Sequence, residues 1–103
     1  DYAPVIEAIL NNPDNIAIAS DSQEQLESLD RQLTEAGRKT LRFDSTTARE
    51  PWVSEFLQDR AGYLQKHEID ALLYSPSAEA GLNVDIKGYF TDLYFLFFGV
   101  ITT

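Results

Sequence analysis

Four short strand-like runs, at residues 16–19, 40–43, 72–74 and 93–98, all but 40–43 apolar throughout, alternate with stretches whose apolar residues recur at helical spacing. That alternation constrains the fold more than any other feature of the chain. Tyr2, Val5, Ile6, Ile9 and Leu10 mark a first helix, which Asn11-Asn12-Pro13 closes. Ser22 opens a second, with Gln25 three residues on as a possible capping box. Leu26, Leu29, Leu33 and Ala36 form its apolar stripe, and Gly37 is a natural stop. Pro51 can open a third helical region in which Val53, Phe56, Leu57 and Leu64 face inward and Gly62 breaks or kinks the helix. Strands separated by helices need crossover connections, so the expected fold is a three-layer α-β-α domain around a four-stranded, mainly parallel sheet. We expect the strand order 2-1-3-4, with strands buried on both faces. Ile18, Leu29, Leu33, Phe56, Leu73, Leu96 and Phe98 are the expected core.

At 103 residues the chain supports one domain, residues 1–103, with a modest core. No apolar run reaches the ~20 residues that span a bilayer. Cysteine is absent, which removes disulfides, thiol catalysis and cysteine metal sites, and a cytoplasmic protein is the expectation. A net charge of −9 repels phosphate unless the cations are gathered on one face. Four of the eight, Arg38, Lys39, Arg42 and Arg49, fall within twelve positions, opposed there only by Asp44. A solvated edge strand with its flanks accounts for that window without any ligand. Methionine is absent and the chain ends on Ile101-Thr102-Thr103, so we expect a piece of a larger protein.

In a parallel sheet of this kind, ligands bind beyond the carboxyl ends of the strands, where the strand order reverses. The segments leaving strands one and three are Ser20-Asp21-Ser22 and Ser75-Pro76-Ser77. Two hydroxyl-rich loops are therefore expected to meet. Helix capping alone accounts for the first; for the second an ordinary strand-to-loop connection is the bland alternative, and the glycine six positions after Ser75 favours a loop that holds a ligand. His67, the single histidine, suits a helix end better than a metal site. Trp52 and the tail aromatics fit core packing better than base stacking.

At these loops the sequence resembles the second RecA-like domain of superfamily-two helicases. IAIASDSQEQLESLDRQL is similar to their motif IV region, an apolar strand, a small polar triplet and an amphipathic helix. LLYSPSAEAGLNVDI is similar to motif V, where a hydroxyl residue ends the strand and glycine follows six positions later, here Ser75 and Gly81. The hydroxyl-Pro-hydroxyl form resembles origin-binding helicases and cyanobacterial plasmid replication proteins that join primase and helicase regions. The tail YFTDLYFLFFGVITT looks like the latter family's strand before motif VI.

The resemblance implies a C-terminal helicase domain of a DNA replication protein. Ser20, Asp21, Ser22, Ser75, Pro76 and Ser77 would lie against the backbone of single-stranded DNA. Gly81, Asn83 and Asp85 would lie at the nucleotide interface, although relatives often carry aspartate where Asn83 stands. ATP and Mg2+ would be cofactors of the full-length parent only, and the preceding RecA-like domain of that parent would be the partner. No phosphate loop G-x-x-x-x-G-K-[ST] occurs in the chain, and the motif VI arginine should follow Thr103 in a family member. The isolated chain is therefore expected to hydrolyse no ATP, with no catalytic residue and no metal ligand of its own. The alternative is a receiver-like α/β module for a small ligand or a protein, without a nucleic-acid role. A phosphoryl receiver would need an acceptor aspartate at the end of strand three, where this chain has Ser75-Pro76.

Overall fold

The computed structural model describes residues 3–75 and 88–96. Helix α1 (Ala3–Asn11) leads into strand β1 (Ile16–Ser20), helix α2 (Gln23–Glu35) and strand β2 (Thr40–Phe43). Helices α3 (Pro51–Gln58) and α4 (Arg60–Lys66), then strands β3 (Ala71–Tyr74) and β4 (Asp92–Leu96), complete the order. The four strands form one parallel sheet with helices on both faces, the expected three-layer α/β fold.

β1 and β3 are the adjacent central strands, with Ile16 opposite Ala71 and Ala19 opposite Tyr74, and β2 and β4 are the edges. Within that frame the two central strands are exchanged relative to 2-1-3-4, and the order is β2-β3-β1-β4. The exchange has a simple physical basis. β1 and β3 are both buried along their whole length, and apolar apart from Ser20 at the end of β1, so either satisfies either central position.

Side chains alternate across each strand and divide the core in two. Ile16 and Ile18 of β1, with Ala71 and Leu73 of β3, pack against Ile9 of α1 and Leu26, Leu29 and Leu33 of α2. Ala17 and Ala19, with Leu72 and Tyr74, face Val53 and Phe56 of α3 and Leu64 of α4. Phe56 lies at the centre of an aromatic group, with its ring 5.7 Å from Phe43, 6.1 Å from Trp52 and 5.6 Å from Tyr63. Trp52 is thus a packing residue. His67 caps the C-terminus of α4, half-buried, with its ring 4.2 Å from that of Tyr63. All the expected core residues are buried except Phe98, which lies outside the described residues.

Four local expectations need correction. Leu57 is 39% exposed, because Val53 and Phe56 already occupy the inward face of a helix of only eight residues. Ala36 is exposed, since it is the C-cap residue and no longer on the helical stripe. The break in the third helical region falls at Asp59, whose carboxylate accepts from the Gly62 amide at 3.1 Å and caps α4, so Gly62 lies inside that helix. β4 is not buried on both faces, because as an edge strand it leaves Leu93 and Phe95 exposed at 43% and 51%.

Helices α2 and α4, which lead into β2 and β3, end in the same hydrogen-bonded turn. After α2, Arg38 N donates to Leu33 O and Gly37 N to Thr34 O, with Gly37 at φ 89°. After α4, Ile69 N donates to Leu64 O and Glu68 N to Gln65 O. Here the left-handed position, φ 54°, holds Glu68. An L side chain is strained there and glycine is not. Glu68→Gly should therefore raise the unfolding free energy by about 0.5–1 kcal/mol, read as a higher urea midpoint. A lower midpoint would show that the Glu68 side chain supports the turn.

The half-buried Tyr89 precedes β4, and its hydroxyl donates to Leu64 O at 3.1 Å and Ile69 O at 2.7 Å. It ties the start of β4 to the corner between α4 and β3. No helix among the described residues is long and apolar enough to cross a membrane.

Candidate functional site

The parallel register of β1 and β3 carries both chains to the same edge of the sheet. Since Ala19 faces Tyr74, Ser20 and Ser75 continue side by side beyond it. The exchange of central strands leaves this adjacency intact. Of the expected loop residues, Ser20, Asp21, Ser22 and Ser75 are brought to this edge. Pro76, Ser77, Gly81, Asn83 and Asp85 lie outside the described residues.

The four have distinct local roles. Ser20 is fully buried, and its Oγ accepts from the Ser22 amide at 3.1 Å, closing a tight polar turn at the strand end. Ser22 is the N-cap of α2, in extended geometry, and its Oγ accepts from Gln25 N at 3.2 Å. Half of the capping box is therefore present. Asp21 is exposed, whereas Ser22 and Ser75 are half-buried. The Ser75 amide donates to Phe43 O at 3.3 Å, which holds the residue against the end of β2. A ligand at this edge would meet Asp21, Ser22 and Ser75, while Ser20 shapes the turn beneath them.

One important residue of this edge was not singled out from the sequence. Asp44, directly after β2, is a carboxylate with 0% exposure. Its Oδ1 accepts from Thr46 N, Thr47 N and Thr46 Oγ1, and its Oδ2 accepts from Arg42 at 2.8 Å and Gln23 at 3.1 Å. Burial alone would push this carboxyl up. The hydrogen bonds from Thr46, Gln23 and Arg42 outweigh it and hold the group below its ordinary value. Gln23 is the first residue of α2, so Asp44 links the end of β2 to the α2 N-terminus. An aspartate followed by Ser-Thr-Thr is a turn signal, but nothing local reveals a partner 21 residues earlier.

Two of the four cations of the basic window are held by carboxylates and carbonyls of the chain itself. Arg42 bonds Asp30 at 3.1 Å as well as Asp44, with Glu27 at 3.9 Å. Burial would lower its pKa, but the hydrogen bonds to Asp44 and Asp30 raise it above the ordinary value. Arg38 donates to the backbone carbonyls of Asn12 and Asp14 and lies 3.7 Å from Asp70. Lys39 and Arg49 remain exposed. The window is two tied-down arginines and two scattered surface charges, the solvated-edge arrangement. Among the described residues no group of three or more His, Asp or Glu could hold a metal ion.

No family model, no curated protein and no solved structure matches this chain.

Proposed function

We propose that this chain is a RecA-like helicase-type domain of a DNA replication protein, contacting the backbone of single-stranded DNA at the carboxyl edge of β1 and β3. The observation that supports this reading is the side-by-side placement of the Ser20–Ser22 turn and Ser75 on adjacent parallel strands. Hydroxyls and the helix-start amides left outside the cap suit phosphate oxygens, because they can donate hydrogen bonds. ATP and Mg2+ enter this proposal only in a larger parent chain, with a preceding RecA-like domain as partner. The sequence contains no phosphate loop G-x-x-x-x-G-K-[ST], so this proposal assigns ATP hydrolysis to that larger parent and not to the chain alone.

The fate of the arginines sharpens the proposal. With Arg42 and Arg38 engaged internally, the donors this edge offers a phosphate are the neutral groups of Ser22 and Ser75, beside the exposed carboxylate of Asp21. Neutral contacts release no counterions, so affinity should lack the steep salt dependence of cationic binding. The net charge of −9 acts in the same direction, since salt screens the repulsion.

Titrating the 15N-labelled chain with oligothymidylate tests this. Amide shifts should centre on Ser22, Gln23 and Ser75, with affinity flat or rising between about 50 and 200 mM salt. Ser75→Ala should weaken binding by about 0.5–1.5 kcal/mol, one neutral hydrogen bond. Shifts centred on Lys39 and Arg49 with a steep salt dependence, or no shifts at millimolar DNA, would overturn the proposal. No shifts with DNA would favour the α/β interaction module.

A further inference from the structure

We draw no further inference here: the strongest candidate, the exposed apolar strip of Leu93 and Phe95 on the edge strand β4, carries nothing because nothing in the structure shows what covers it.

Discussion

Leu73→Ala is expected to lower the unfolding free energy by about 2–5 kcal/mol. Leu73 is wholly buried in the central strand β3, opposite Ile18, on the face that α1 and α2 cover. Removing its isobutyl group loses the transfer free energy of the side chain and leaves a cavity. The surrounding wall is formed by a central strand paired on both sides and by the packed side chains of α1 and α2, so it cannot easily collapse inward. The cost should therefore not fall at the bottom of the range. Urea unfolding of the variant should show a lower midpoint with an unchanged slope. A cost below about 1 kcal/mol would mean that the two-layer packing on this face is looser than described.

Asp44→Ala should cost about 3 kcal/mol, near the lower end of the range for breaking a buried ion pair. The lower end applies because the Arg42 side chain is 21% exposed and retains Asp30. What raises the cost is the loss of the acceptor for the Thr46 and Thr47 amides. Asp44→Asn should cost less, because its remaining carbonyl can still accept from those amides. The depressed carboxyl value gives a pH signature. Its contribution to stability is complete above the unfolded-state value of about 3.9 and disappears as pH falls through the lower folded-state value. The gap between wild type and Asp44→Ala should thus be widest near neutrality and narrow in acid. A gap that stays constant with pH would show that the carboxylate charge contributes nothing.

The fold class was legible because period and composition agree at almost every element. Ser22 and Gly37 bracket α2, Pro51 starts α3, and Thr40–Phe43 is the second strand with the same bounds. Edge and centre were legible too, since the Thr and Arg of β2 suit an edge and the apolar β1 and β3 suit the middle. The order of the two central strands was not. Exchanging β1 and β3 leaves both strands central and wholly buried, so composition carries no information about it. Gly62 misled for a different reason. The local break is made by a side chain three residues earlier, and a glycine within one turn of such a cap is compatible with a helix. At the candidate site, the Ser20–Ser22 turn and Ser75 could be brought together by the adjacency of β1 and β3, which either order gives. The Gln23–Asp44–Arg42 link depends on how α2 lies across β2, and that exists only in three dimensions.

Tyr89 sets a limit at the opposite end of the pH scale. Its phenol sits where burial, with Asp70 and Glu68 nearby, pushes its pKa above the ordinary value. It donates its one proton towards two backbone carbonyls, Leu64 O and Ile69 O. Ionisation would replace that donor with a phenolate facing two acceptors. Because the folded-state value is the higher one, the contribution is complete below the unfolded-state value of about 10 and is lost as pH rises through the folded-state value. The corner between α4 and β3 should therefore loosen in alkali. In strong base the start of β4 should be released from it before the strand pairing inside the sheet gives way.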